Sequence, residues 1–139
     1  SSDSTLSSID LDVFDIIAFA DYRCGLIKPT FIKQCLFSGK KSYASSQVST
    51  RSSNYHQYFD VDIIVCNQNE SETFKRKKNV CITMGSKGCN FNEKFYPSKY
   101  VVNTNNTIGA GDVFYAAFLS TQDPNKANEI AAKYLSNLN

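Results

Sequence analysis

The chain has 139 residues, of which 42% are hydrophobic, and a formal net charge of +2 at pH 7. This length suits one modest domain with a real core and is too short for two. A single histidine, His56, argues against a His-rich metal site and against a Ser-His-Asp triad. No apolar run approaches the ~18 residues of a membrane span and no signal peptide is apparent, so we expect a soluble protein with no membrane partner.

The chain contains five cysteines, an odd number, without Cys-x-x-Cys spacing. Several lie in apolar runs, where a thiol packs as a small hydrophobic side chain. They are interpreted as reduced and structural, which predicts a cytoplasmic protein.

One dense basic run stands at residues 75–78. It lacks interleaved aromatic residues and is interpreted as a solvated surface loop. We therefore expect no nucleic-acid partner.

In chain order, strand-like and helix-like runs alternate, which predicts an α/β protein. Residues 1–11 are mostly polar and are expected to be disordered or a linker, with one domain from residue 12 to residue 139. Residues 12–19 form a nearly continuous apolar run, the pattern of a strand buried on both faces of a parallel sheet. A helix is predicted to begin near Pro29 and to end at Gly39.

Asp21 follows the first predicted strand. Ligands bind beyond the carboxyl ends of strands in open α/β sheets, so Asp21 is a candidate for facing an active-site crevice. A turn-forming aspartate explains the same residue equally well, and both interpretations stay open here.

The next predicted elements are a strand at residues 41–44, a polar loop at 45–54, a short aromatic helical turn at 55–59 and a buried strand at 62–66. Asn67 and Glu70 follow that last strand. A helix starting there places an amide and a carboxylate three residues apart on one face, where both reach a hydrated cation. The same spacing is also typical of an ordinary helix N-terminus.

A further strand is predicted at residues 79–84, followed by Gly85 and Gly88. Glycine permits a tight turn and the close approach of a ligand, whereas a hairpin turn without a ligand is the alternative. Residues 89–96 are predicted to form a small hairpin, and residues 99–103 lead back toward the glycine-rich loop.

Gly109 and Gly111 lie directly before an apolar helical run. Such a loop presents backbone N–H groups at a helix N-terminus and favours a bound anion. Asp112 is either a stabilising charge in the first helical turn, worth about 0.3–1 kcal/mol, or a base beside a bound phosphate. The last helix is predicted to begin with Asp123 as its N-cap and Pro124 as its first residue, and its apolar stripe is interpreted as core packing.

The string NTIGAGD at residues 106–112, followed by an apolar helix, resembles the C-terminal signature of the PfkB (ribokinase-like) carbohydrate kinases. The resemblance implies that Gly109, Ala110 and Gly111 form an anion hole for the transferred phosphoryl group. It also implies that Asp112 is the base that takes the proton from the sugar hydroxyl. Asn106 departs from the pattern, because most members have aspartate there.

Two other segments match motifs of the same family. Asn67 and Glu70 match its Asn-x-x-Glu motif, which implies a role in positioning Mg²⁺ and phosphate, with the metal bound through water. Thr83, Gly85 and Gly88 match a segment that lies against the nucleotide, so the resemblance implies ATP as the phosphoryl donor.

Residues 19–26 resemble a segment of the heptose-phosphate kinases, which implies that Asp21 contacts a sugar or sugar-phosphate substrate. Two departures concern the middle of the chain. Ser45 and Ser46 stand where members often have aspartate, and the connection from Glu70 to Asn79 is shorter than usual.

The resemblance covers residue 12 to residue 139 and corresponds to the later part of a family member. The implied fold is a three-layer α/β/α sandwich with a mostly parallel sheet, here without the N-terminal part and the β lid. Whether the chain is a fragment, a subunit or a shortened relative stays open. A homo-oligomer or a partner chain that supplies the missing sheet and lid is expected.

The leading hypothesis is therefore an ATP-dependent carbohydrate kinase or its catalytic part. The alternative is a catalytically reduced, kinase-like module that serves as a binding or scaffolding subunit. A generic dinucleotide-binding domain is disfavoured, because the glycine loop lies near the C-terminus and no suitable acidic residue follows its next strand.

Overall fold

The computed structural model describes residues 11–23, 25–46, 53–76, 78–98 and 109–138. Contacts divide the chain into two compact units. The first unit contains residues 1–64 and 69–76, and the second contains residues 65–68 and 77–139.

The described strands form one mixed sheet in sequence order. They are β1 (Ile16–Asp21), β2 (Lys41–Ser46), β3 (Ile63–Asn67), β4 (Val80–Thr83), β5 (Gly88–Phe91) and β6 (Lys94–Pro97). The α-helices are α1 (Pro29–Phe37), α2 (Gln68–Ser71), α3 (Ala110–Thr121) and α4 (Pro124–Leu138). Neighbouring strands are parallel from β1 to β3 and antiparallel from β4 to β6. The predicted α/β class is confirmed.

In the first unit, β1 and β2 pair in a parallel register that places Asp21 beside Ser46 at the carboxyl ends of both strands. Side chains along β1 alternate: Phe19 and Asp21 are buried, whereas Ala18 and Ala20 are exposed. The prediction of a strand buried on both faces is therefore wrong. β1 is first in the strand order, so its described pairing is with β2 alone, and alternation of this kind is typical of a strand with one covered face.

Helix α1 begins at Pro29, as predicted, because a proline at the first helical position needs no intrahelical acceptor. It packs Ile32 and Cys35, three residues apart, into the core. The chain leaves the helix at Gly39, whose φ of 76° suits glycine.

The predicted aromatic turn is a 3-10 helix, Tyr55–Tyr58. Both tyrosines are fully buried. The ring centroid of Tyr58 lies 5.5 Å from that of Phe19 on β1, and the ring of Tyr55 lies 4.7 Å from that of Phe74. These ring pairs anchor the 3-10 helix within the first unit.

Arg76 corrects the interpretation of the basic run as a solvated loop. Its Nη1 donates to the carbonyl oxygens of Phe59 and Val61 at 2.8 Å, and its Nη2 donates to that of Asp62 at 2.7 Å. Burial lowers the pKa of Arg76, and the charges of Asp62 and Asp60 oppose that shift. Lys75 is exposed, as the sequence predicted.

In the second unit, β5 and β6 form the predicted hairpin. Asn92 and Glu93 make its turn with φ values of 53° and 67°, the left-handed conformation of a two-residue hairpin turn. The side chain of Asn92 also accepts a hydrogen bond from the backbone N–H of Asn79 at 2.5 Å, which fixes the entry to β4.

Helices α3 and α4 belong to this unit. The ring of Phe118 in α3 meets that of Phe91 in β5 edge to face, with centroids 5.4 Å apart. Asn128 in α4 donates to the carbonyl oxygen of Tyr96 at 3.1 Å. Asp123 is the predicted N-cap of α4, because its Oδ1 accepts the backbone N–H of Asn125 at 2.9 Å.

Four cysteines lie in the described part of the chain, and all four are buried free thiols. Burial raises the pKa of Cys35. A hydrogen bond between Cys81 and Cys89 raises the pKa of Cys81, together with burial, and lowers that of Cys89. No helix in the described ranges is long and apolar enough to cross a membrane.

Candidate functional site

The residues singled out in the sequence fall into both units. Asp21 and Glu70 belong to the first unit, and the others belong to the second. Asn106, the loop at residues 47–52 and the segment predicted at residues 99–103 lie outside the described residues.

Asp21 is the last residue of β1, and its side chain is only 7% exposed. Its Oδ2 accepts hydrogen bonds from the hydroxyl of Tyr58 at 2.5 Å and from Nδ2 of Asn54 at 2.9 Å. Its Oδ1 accepts the backbone N–H of Arg23 at 2.8 Å, an Asx turn in which Arg23 has a φ of 62°. Both carboxylate oxygens are thus bound within the protein, and three donors compensate for the burial of a charge.

The same group of side chains continues to Glu70. Ser46 donates a short hydrogen bond from its hydroxyl to Oδ1 of Asn54 and donates its backbone N–H to the Tyr55 hydroxyl at 3.0 Å. The Tyr55 hydroxyl donates in turn to Oε1 of Glu70 at 3.4 Å. We call this set the polar network; its members are Asp21, Ser46, Asn54, Tyr55, Tyr58 and Glu70.

The polar network joins two candidate site residues that the sequence suggested separately. Reasoning from sequence assigned Tyr55 and Tyr58 to aromatic packing and gave Asn54 no role. A local signal existed: Asn54, Tyr55 and Tyr58 carry polar groups directly after a loop that follows a parallel strand, where functional side chains gather.

Asn67 ends β3 with an exposed side chain, and Glu70 is partly exposed in α2, a helix of four residues. The backbone around Glu70 is fixed by Thr73, whose N–H and hydroxyl both donate to the Glu70 carbonyl, at 3.0 Å and 2.6 Å. Such a short helix has no stability of its own, so tertiary hydrogen bonds decide where Glu70 lies.

Thr83 ends β4, and its hydroxyl donates to the carbonyl oxygen of Cys66 in β3 at 3.3 Å. Residues Gly85–Lys87 form a 3-10 turn that leads from β4 into antiparallel β5. A Cβ atom at Gly88 would stand 2.1 Å from the Tyr96 carbonyl oxygen, so strand pairing by itself requires glycine at that position.

Helix α3 begins at the glycine loop, as the sequence predicted. Gly109 is its N-cap with a φ of 82° and a ψ of −4°, and the intrahelical hydrogen bonds start with Val113 N–H to the Gly109 carbonyl at 3.0 Å. The amides of Ala110 and Gly111 precede this first bond and therefore have no acceptor within the helix. Asp112 lies in the first turn and its side chain is exposed. Phe114 and Tyr115, which follow it, are buried.

The two glycines of this helix start have different surroundings. A Cβ atom at Gly109 would stand 2.7 Å from the hydroxyl of Tyr134 in α4. A Cβ atom at Gly111 would meet no heavy atom of the described structure within 4 Å, and Gly111 is exposed. Packing thus explains the glycine at 109, whereas the open space at 111 is a place where a ligand can approach the backbone.

The family model of the pfkB family carbohydrate kinases matches residues 62–134, which is more than half of the chain. The chain belongs to this family. The match includes the glycine loop, α3 and most of α4.

Among solved structures, this PfkB chain is similar to the crystal structure of Sa239, with a TM-score of 0.67 and 17% sequence identity. The similarity covers 95% of this chain and 53% of Sa239, so the chain spans about half the length of that relative. It shows the fold, which fits the expected ribokinase-like architecture. No curated protein matches the sequence.

PfkB kinases use ATP, whose phosphates bring Mg²⁺ with them in phosphoryl transfer. In the described ranges, no group of three or more His, Cys, Asp or Glu side chains forms a metal site. Glu70, partly exposed, and Asn67, exposed, offer one carboxylate and one amide. Mg²⁺ usually keeps several waters and binds one or two carboxylates plus the substrate phosphates, so the Glu70 carboxylate fits this role.

Proposed function

We propose that this chain is the catalytic part, residues 12–139, of an ATP-dependent PfkB kinase that transfers the γ-phosphoryl group to a hydroxyl of a sugar or sugar phosphate. The start of α3 carries the proposal. There, the left-handed Gly109, the amides of Ala110 and Gly111 that precede the first intrahelical hydrogen bond, and an exposed carboxylate, Asp112, occur together within one helical turn.

In this proposal, Gly109, Ala110 and Gly111 form the anion hole. Phosphoryl transfer depends on positioning and on neutralising the charge of the transferred group, and fixed N–H donors at a helix N-terminus supply both. Asp112 is the base that accepts the proton of the sugar hydroxyl. Its solvent exposure keeps the carboxylate accessible to an entering substrate.

Glu70 and Asn67 are assigned to Mg²⁺ and the phosphates of ATP. The metal, when bound, neutralises phosphate charge. Thr83, Gly85 and Gly88 are assigned to the nucleotide. Gly85 is exposed at the end of β4, whereas Gly88 is buried and required for strand pairing, so of these two glycines Gly85 is the better candidate for a direct contact.

Asp21 is assigned to the sugar side of the reaction, with a heptose phosphate as the nearest substrate class. The contacts described above bind both of its oxygens, so its contribution is to hold the end of β1 and the 3-10 helix Tyr55–Tyr58 in place, with at most an edge of the carboxylate reaching a substrate.

A partner chain or a second copy is proposed to complete the sheet beside β1. Strand β1 is first in the strand order and alternates exposed with buried residues. Exposed apolar side chains of the same unit include Val13 at 71%, Leu26 at 62% and Phe37 at 95%. A strand at the edge of the described sheet invites pairing with further chain.

The alternative function is a kinase-like binding or scaffolding subunit. Asn106, where most members have aspartate, and the short connection from Glu70 to Asn79 favour it. The exposed Asp112 favours the kinase, since a binding subunit has no chemical need for a base at that position.

The deciding experiment compares the wild-type chain with Asp112→Asn, by calorimetric titration with MgATP and by phosphorylation of a panel of sugars and sugar phosphates. We expect Asp112→Asn to abolish transfer and to keep nucleotide affinity nearly unchanged. Loss of both with an unfolded protein would assign Asp112 to folding. Wild-type binding of MgATP without transfer to any sugar, alone or with partner chains from its source, would favour the binding subunit.

A further inference from the structure

We propose that Tyr55 positions Glu70 for Mg²⁺, through the hydrogen bond from its hydroxyl to the Glu70 carboxylate. This inference rests on the proposed function, since it assumes that Glu70 serves the Mg²⁺ of MgATP. Tyr55 is a positioning residue, because it acts on the metal only through Glu70.

Packing holds the ring of Tyr55 in place independently of its contact with Glu70. It has no solvent exposure and packs against Phe74 with ring centroids 4.7 Å apart. A tyrosine held in this way has lost its rotamer freedom, so its hydroxyl oxygen occupies a defined position in the first unit.

The hydroxyl also links the sheet to Glu70 through two hydrogen bonds. Its oxygen accepts the backbone N–H of Ser46 at 3.0 Å, at the carboxyl end of β2. The hydroxyl donates to Glu70 Oε1, with 3.4 Å between the two oxygens. The Glu70 carboxylate is therefore connected to the end of β2 through one rigid side chain, that of Tyr55.

The helix around Glu70 is too short to hold the side chain in place by itself. Glu70 lies in a four-residue helix and is partly exposed, and Thr73 fixes its backbone carbonyl but not its carboxylate. The hydrogen bond from the Tyr55 hydroxyl is made to Oε1. Hydrogen bonds to metal-binding carboxylates commonly change metal affinity by about 10–100-fold when they are removed.

The structure supplies a matched control in Tyr58. It belongs to the same 3-10 helix and is equally buried, and its hydroxyl donates to a carboxylate as well, but to that of Asp21. Replacing either tyrosine by phenylalanine removes one buried hydroxyl. Only Tyr55→Phe removes the contact with Glu70.

The test measures nucleotide binding rather than turnover. The affinity of a non-hydrolysable ATP analogue is titrated against Mg²⁺ for the wild-type chain, Tyr55→Phe, Tyr58→Phe, Glu70→Gln and the double variant Tyr55→Phe/Glu70→Gln. We expect Tyr55→Phe to weaken the apparent Mg²⁺ affinity about tenfold and Tyr58→Phe to leave it unchanged. In the Glu70→Gln background, Tyr55→Phe should have no further effect.

Equal effects of both tyrosine variants, or an undiminished effect of Tyr55→Phe in the Glu70→Gln background, would overturn the inference while leaving the proposed function intact. Nucleotide binding that does not depend on Mg²⁺ in the wild-type chain would overturn both. Should Tyr55→Phe fail to fold, Glu70→Asp tests the same link at a partly exposed position by withdrawing the carboxylate from the hydroxyl. It should weaken Mg²⁺ affinity comparably, and an unchanged affinity would count against the inference.

Discussion

The hydroxyl of Tyr58 donates a hydrogen bond of 2.5 Å to Oδ2 of Asp21, across 37 residues of sequence. Because both groups are buried, this bond ties the carboxyl end of β1 to the 3-10 helix that follows β2. A buried carboxylate is stable only while its hydrogen-bond donors stay in place.

Tyr58→Phe is therefore expected to lower the free energy of unfolding by about 2 kcal/mol, since it leaves a buried charge with one donor fewer. Urea denaturation followed by circular dichroism measures the change. The double variant Asp21→Asn/Tyr58→Phe completes a mutant cycle, in which we expect a coupling of at least about 1 kcal/mol. A coupling near zero would show that the hydroxyl and the carboxylate act independently.

Much of the fold was predictable, because local signals and tertiary structure agree. Pro29 opens α1, Asp123 caps α4, and Asn92 lies in the turn of the β5–β6 hairpin. Each of these depends on backbone chemistry within a few residues, which sequence patterns record well.

The errors concern properties that depend on distant residues. Whether β1 is covered on one face or two depends on which elements pack against it, and an apolar run alone does not tell. Arg76 was interpreted as solvated because it lies among lysines, but three carbonyl oxygens from residues 59–62 bind it. Chain folding brings those acceptors together, and no motif marks them.

Only part of the candidate site was predictable from the sequence. The start of α3 was predictable, since two glycines and an aspartate before an apolar helix define it locally. The polar network was not, because Tyr55 and Glu70 are 15 residues apart and Tyr58 and Asp21 are 37 apart. Only the parallel register of β1 and β2 makes Asp21 and Ser46 neighbours.

Gly109→Ala is expected to destabilise the chain by about 1–3 kcal/mol. The φ of 82° is unfavourable for a residue with a Cβ atom, and that atom would press on the Tyr134 hydroxyl. Gly111→Ala is the matched control, because its Cβ atom meets open space and alanine favours the helix. Thermal unfolding of both variants checks this difference.

The same control variant tests the proposed anion hole. If the transferred phosphoryl group lies against the backbone at Gly111, a methyl group there displaces it, and transfer should fall by about 10²-fold in a folded protein. The rate is measured at saturating MgATP, with the unfolding temperature as the folding control. Full activity of Gly111→Ala would mean that the phosphoryl group does not approach this amide closely.

Arg76→Ala is expected to cost about 2–3 kcal/mol of stability, because three backbone carbonyl oxygens lose a charged donor. Lys75→Ala, one residue earlier and exposed, should change stability by less than about 0.5 kcal/mol. Urea denaturation of both variants measures the contrast. Similar small effects would show that solvent replaces the guanidinium at those carbonyls.

The buried thiol of Cys35 is expected to make the stability of the fold depend on pH. Burial raises its pKa above the ordinary value of 9.0, so the folded state holds the thiol proton more tightly than the unfolded state does. The stability that the neutral thiol contributes is therefore fully present below about pH 9 and falls as the pH rises from there toward the folded-state pKa, at up to about 1.4 kcal/mol per pH unit. Cys35→Ala should lower stability at neutral pH, since it leaves a cavity, and should flatten the alkaline decline. Urea midpoints measured from pH 7 to pH 10 distinguish the two effects, and an equally steep decline in the variant would assign the loss to other groups.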